Sequence, residues 1–184
     1  MSIESREAAE ALADIKRIAD RVRQSRFYNL ASLILVLWGA LVFAGYVLSY
    51  TLPRRAGMIW IATDLLGVIG SVAISMFIHK KSGARTFDGR VAAALACFFA
   101  FGLFWSVGMA HFGPREMNAF WATFFMLPYT MVGLWLGWAF VAIGLGITAL
   151  TVIGYYWSGP YFELWMAVVN GGGLMLGGLW MRRN

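Results

Sequence analysis

Asp64 is the residue whose type and setting most invite chemistry. It sits in the apolar stretch AGMIWIATDLLGVIGSVAISMFI (56–78). Nine residues separate it from Arg55, about 13 Å at helical rise, which is close to the midplane of a hydrocarbon core about 30 Å thick. A carboxyl group at that depth costs roughly 2.5–3.5 kcal/mol on insertion scales and marks a functional candidate. None of the apolar segments set out below contains a Lys or Arg, so the expected form is a neutral, hydrogen-bonded carboxylic acid facing the bundle interior. Asn170 lies at similar depth: Asp64 is Trp60 plus four and Asn170 is Trp165 plus five. Thr63 and Tyr129 complete a candidate intramembrane polar site, with Pro128 freeing a backbone carbonyl and able to kink its helix. Two readings stay open. Either Asp64 binds a proton or small polar solute, lined by Asn170, Tyr129 and Thr63, or Asp64 and Asn170 bond each other or a backbone carbonyl and hold helices together.

A second group, His111, Arg115, Glu116 and Glu163, falls beside two glycine–proline turns and forms either an outer vestibule or ordinary solvated turns. The glycines at 171–173 and 177–178 let helices approach closely in lipid, or unwind a binding segment. Other chemistry is poorly supplied. One cysteine, Cys97, and two histidines, His79 and His111, show no metal-ligand spacing, and the histidines are expected near opposite membrane faces. No H-E-x-x-H, nucleophile–base pair or phosphate loop is present. The expectation is therefore no enzyme, no cofactor and no metal.

These residues need elements to hold them, and the composition says which. The chain is 60% hydrophobic and 13% charged, whereas soluble domains are about 45–50% apolar and about 25% charged. Five apolar runs are visible directly, and a sixth follows from length. From Met117 to Phe162 no charge appears in 46 positions. One straight helix of that length would run about 69 Å, so the run must turn back once, and Gly133–Trp138 is the best place. The expected fold is all-α: a six-helix transmembrane bundle with spans at about 28–50, 56–78, 91–110, 117–135, 138–157 and 161–181.

Charge sets the orientation. Counted near the span ends with the N-terminus inside, eleven basic residues are cytoplasmic (Lys16, Arg17, Arg21, Arg23, Arg26, Lys80, Lys81, Arg85, Arg90, Arg182, Arg183) and three are outside (Arg54, Arg55, Arg115). Six spans return the C-terminus to the cytoplasm. The excess charge of +6 then belongs to anionic headgroups rather than to nucleic acid, for which no motif exists. Tyr50, Phe112, Tyr155, Tyr156, Trp157, Tyr161 and Phe162 gather at the outer ends, and Trp135, Trp138 and Trp180 at the inner ends, as interfacial belts do. The outer turns share a pattern: Pro53 to Trp60, Pro114 to Trp121 and Pro160 to Trp165. They read either as three repeated helical hairpins related by an axis along the membrane normal or as turn chemistry alone.

Residues 1–26 form the remaining unit, expected as a cytoplasmic amphipathic helix before a transmembrane domain at 27–184. They are too charged for a signal peptide. Ala8, Leu12, Ile15, Ala19 and Val22 make a heptad-like stripe, and Asp14–Arg17, Lys16–Asp20 and Asp20–Arg23 can pair across one turn. The helix either lies on the inner leaflet or meets a second copy or a cytoplasmic protein partner.

The sum of charged N-terminal helix, LVLWGALVFAGYVLSY, WIATDLLGVIGSV and the terminal YFELWMAVVNGGGLMLGGLWMRRN resembles small six-transmembrane bacterial membrane proteins of uncharacterised function. The three-hairpin plan is similar to that of the HdeD acid-resistance membrane proteins. The resemblance is architectural over most of residues 28–181. It implies a multi-pass inner-membrane location and a stress link, and it transfers no catalytic residues. The functional expectation is an interaction, regulatory or stress-related membrane protein; the alternative is a small-solute or proton-linked transporter or channel using Asp64.

Overall fold

The computed structural model describes residues 3–80 and 89–182. Among these residues the chain is all-helical, without a strand. The helices are α1 (Ile3–Thr51), α2 (Ala56–Lys80), α3 (Gly89–Leu103), α4 (Pro114–Leu136), α5 (Trp138–Trp157), α6 (Phe162–Met166) and α7 (Gly173–Met181). A π-helical stretch, Phe104–Met109, extends α3, and another, Ala167–Gly172, joins α6 to α7 as one rod. Four segments are long and apolar enough to cross a membrane: Tyr28–Thr51, Pro53–Ile78, Trp138–Trp157 and Gly159–Met181. Ala93–Met109 is a shorter apolar helix. The anchors Lys81, Arg85 and Arg183 lie outside the described residues.

The breaks follow local chemistry. Pro53 opens a 3-10 turn after α1, Pro114 occupies the first turn of α4 behind Gly113, and Pro160 sits in the 3-10 turn Gly159–Tyr161. Proline suits such positions because its missing N–H would be unpaired there anyway. The long uncharged run turns at Gly137, whose φ of 141° is open to glycine and strained for other residues. That turn falls inside the expected Gly133–Trp138 stretch.

The first helix is continuous across the expected boundary between residues 26 and 27. No break occurs at residue 26; α1 runs unbroken for 49 residues, about 73 Å. The physical reason is plain in the sequence: between Ile3 and Trp38 there is neither Gly nor Pro, so nothing stops propagation where composition changes from charged to apolar. Asp14 and Arg17 pair at 3.6 Å on the exposed surface of this helix.

The core joins α1, α4, α5 and the α6–α7 rod. Leu35, Met126, Phe140, Ile143, Ile147, Val169, Leu174 and Met181 form one buried cluster, and Val42, Tyr46, Ala122, Phe162, Met166 and Ala167 form another. α1 and the rod meet along small residues: a methyl on Gly39 would fall 2.7 Å from the Gly171 carbonyl oxygen, and one on Gly178 would fall 2.8 Å from the Ser32 carbonyl oxygen. α2 leans on α1 through Trp38, which donates from Nε1 to Ser71 at 3.0 Å, and through an edge contact of Tyr46 with Trp60. α3 reaches α4 through rings, Phe98 stacking on Phe124 at 4.2 Å. The outward faces of α2 and α3 are apolar and exposed, including Met58, Ile61, Val68 and Phe77 on one and Leu95, Phe101 and Val107 on the other. A surface of that kind far exceeds what water-soluble monomers tolerate and suits lipid. Trp135, Trp138, Tyr156 and Trp157, at helix ends, are also largely exposed.

Candidate functional site

The four residues expected to share an intramembrane site occupy separate surroundings. Thr63 is buried on the face of α2 that meets α1, opposite Gly45. Tyr129 on α4 packs against Phe140, ring centres 6.3 Å apart. Asn170 is buried in the π-helical stretch, its side chain within reach of the Tyr46 hydroxyl of α1. Asp64 is exposed on the flank of α2 and makes no hydrogen bond or ion pair among the described residues. Depth alone therefore does not bring Asp64 to Asn170; the partner of Asn170 is the tyrosine of the first helix.

That tyrosine belongs to a line of polar groups inside the core. Glu163, at the start of α6, lies close enough to act electrostatically on Tyr46, and its Oε1 accepts from Asn118 Nδ2 at 2.8 Å. Four buried oxygens carry no partner: Ser49 Oγ, Glu163 Oε2, Asn170 Oδ1 and Thr151 Oγ1. A buried group left unsatisfied costs about 1–3 kcal/mol. Asn170 also sits in a π-helical stretch, a backbone irregularity frequent at functional sites.

The expected vestibule splits in the same way. Arg115 is a fastener: it donates to the carbonyl oxygens of Gly159, at 2.8 Å, and Tyr155, and its guanidinium lies 4.9 Å from the Phe162 ring centre. It ties the N-terminus of α4 to the connection between α5 and α6. Glu163 turns inward to Asn118. His111 is exposed, has φ of 49° and bonds locally with the Met109 carbonyl at 3.1 Å. Glu116, in the first turn of α4, accepts from the Tyr155 hydroxyl at 3.3 Å. Beside it a groove of about 290 Å³ opens between α4 and α5, with Phe112, Phe120, Tyr155, Tyr156, Glu116 and Thr151 among its walls.

Tyr46, Asn118 and Thr151 were not among the candidate residues. Tyr46 is one tyrosine within an apolar run, and Thr151 is one hydroxyl within an uncharged run. The usable signal was spacing: Tyr46 falls seven residues after Gly39, on the same helical face as Ser32. Among the described residues, no three His, Cys, Asp or Glu side chains gather within reach of one metal ion. Compared with protein-family models, with curated proteins and with solved structures, the chain matches none.

Proposed function

We propose that this chain is a six-span protein of the bacterial inner membrane, with both ends in the cytoplasm, that works through interaction rather than catalysis. Its regulatory or stress-related role is exercised by a cytoplasmic stalk that pairs with the stalk of a second copy. The observation that carries the reading is the continuity of α1 from Ile3 to Thr51. An unbroken helix keeps its direction past the membrane face, so about 37 Å of it, residues 3–27, stands off the bilayer. Leu12 and Ile15 on the heptad stripe are 70% and 63% exposed, and burying such a stripe against an identical one is what two-stranded coiled coils do. Six spans follow if Ala93–Met109 and the 23-residue α4 join the four longer segments; the even number agrees with the basic residues at both ends.

The test is cross-linking of the full chain in bilayers. With Cys97 replaced by serine, Leu12→Cys and Ile15→Cys are expected to give disulfide-linked dimers and Arg17→Cys, off the stripe, far fewer. Equal cross-linking at positions 12 and 17, or none in a folded protein, overturns the stalk.

A second reading, transport of a proton or small solute, is favoured by one observation: Asp64 has no partner among the described residues and is exposed beside the α1–α2 contact. Under that reading Asp64→Asn abolishes flux in proteoliposomes while the stalk dimer persists.

A further inference from the structure

We propose that the groove between α4 and α5 is a binding site for an organic cation, a quaternary ammonium group carried on an apolar body. The groove lies at the end of the bundle away from the α1 stalk. Phe112 and Phe120 supply one pair of rings, their centres 5.3 Å apart. Tyr155 and Tyr156 of α5 supply another, also 5.3 Å apart and edge to face. Aromatic side chains around one opening offer π faces, which attract a cation within about 6 Å of the ring centre.

The polar groups at the groove carry the same sign. Glu116 contributes a carboxylate that accepts from the Tyr155 hydroxyl and has no Lys, Arg or His partner among the described residues. Thr151 contributes a hydroxyl that is fully buried, lines the groove and has no hydrogen-bond partner. The hydroxyl oxygen offers a cation its partial negative charge; a quaternary ammonium has no N–H to donate to it. No basic side chain lines the groove; Arg115, one residue from Glu116, donates to the carbonyls of Gly159 and Tyr155 and holds its guanidinium 5.4 Å from the Tyr155 ring centre, which leaves Phe112, Phe120 and Tyr156 as the rings open to a ligand. Carboxylate, hydroxyl oxygen and ring faces are all electron-rich, and the rest of the wall is apolar. That combination rejects anions and gives strongly hydrated metal ions too few oxygen ligands. It fits a weakly hydrated, methylated ammonium. The volume, about 290 Å³, is at the small end of ligand pockets, sized for one such head and a short apolar body. Glu116 also stands in the first turn of α4, where an acid favours the helix dipole.

The probe is radiolabelled benzyltrimethylammonium, bound to the full chain in nanodiscs of phosphatidylethanolamine and phosphatidylglycerol, lipids without a choline head. Saturable binding is expected, weakened at least tenfold by Glu116→Gln. Tyr156→Leu is the second variant; Tyr156 is 71% exposed, so its loss spares the core, and binding is expected to weaken several-fold. Neopentylbenzene, the uncharged isostere, is expected not to displace the probe. Two sources of the same chemistry are then separated by adding phosphatidylcholine to the disc: loss of probe binding identifies a lipid headgroup as the natural occupant, and retention identifies a free solute. No saturable binding to folded protein, equal binding by Glu116→Gln and Tyr156→Leu, or displacement by neopentylbenzene as effective as by unlabelled probe overturns the site.

Discussion

Ser32 and Gly178, 146 residues apart, are joined by a buried hydrogen bond in which the serine Oγ donates to the glycine carbonyl at 2.6 Å. The bond is possible because neither residue has a bulky side chain to hold α1 and α7 apart. Gly39 and Gly171 repeat the close approach one heptad along each helix. In lipid, where apolar side chains gain nothing by leaving solvent, such backbone proximity is a principal source of helix association.

The sign of a glycine-to-alanine change should therefore reverse with position. In a free helix the change stabilises by up to about 1 kcal/mol, and Gly146, with open space at its missing Cβ, should behave so. At Gly39 the new methyl meets a backbone carbonyl oxygen at 2.7 Å and the helices must part, at an overpacking cost of about 1–3 kcal/mol. Thermal unfolding in one detergent reads both: Gly39→Ala is expected to lower the midpoint and Gly146→Ala to leave it level or raise it. A fall at both, or at neither, removes the seam. Ser32→Ala, which loses one bond, is expected to cost about 0.6 kcal/mol.

Tyr46 and Asn170 should prove coupled. Both are buried, at 2% and 7% exposure, and their side chains face each other across the α1–rod contact. A double-mutant cycle with Tyr46→Phe and Asn170→Ala is expected to return a coupling energy between about 0.6 and 1.7 kcal/mol, the range for interhelical bonds in membranes. Asn170→Asp tests the setting as well: Glu163 already acts on Tyr46, so a second acid in the same core is expected to destabilise more than alanine does. Additive single effects would show that the two side chains do not share a bond.

Asp64 is expected to respond in the opposite sense from a core residue. It lies exposed on α2 among Ile61, Leu65 and Val68, and an acid on a lipid-facing surface near the midplane costs roughly 2.5–3.5 kcal/mol where leucine gains about half a kcal/mol. Asp64→Leu should keep the fold and hold or raise both membrane yield and thermal midpoint. A clear drop in midpoint would mean that the carboxyl group has a partner outside a single chain, and the lipid-facing placement would fail.

Why equal depth does not bring Asp64 to Asn170 is a matter of helix geometry. Counting from Trp60 and Trp165 gives depth, which rises 1.5 Å per residue whatever the rotation. Azimuth comes only from an uneven face, and α2 is apolar nearly all the way round, so nothing in 56–78 says which side meets α1. The structure supplies it through Thr63, Gly67 and Ser71. Turns were easier: Pro53, Pro114, Gly137 and Pro160 each act locally. The unbroken α1 was legible in the absence of Gly and Pro up to Gly39, but a change of composition at residue 26 looks like a boundary though it carries no backbone reason to be one. Tyr46, Asn118 and Thr151 matter through partners or their lack, which only tertiary packing defines.

Whether α3 crosses the bilayer can be read at Cys97, the single cysteine of the chain. The apolar stretch Ala93–Met109 has 17 residues, about 25 Å of helix, slightly short for a core of about 30 Å. A shorter segment is accommodated by local thinning of the bilayer at a fraction of a kcal/mol per Å. Cys97 is exposed with Leu95 and Phe101 on the same helix, so a nitroxide attached there should sit in hydrocarbon. Power-saturation measurements in liposomes are expected to find it readily relaxed by oxygen and poorly by a water-soluble nickel complex. The reverse ranking would place α3 at the surface, leave an odd number of crossings, and put the C-terminal arginine on the far side of the membrane from the basic N-terminal helix, against the charge distribution that orients the chain.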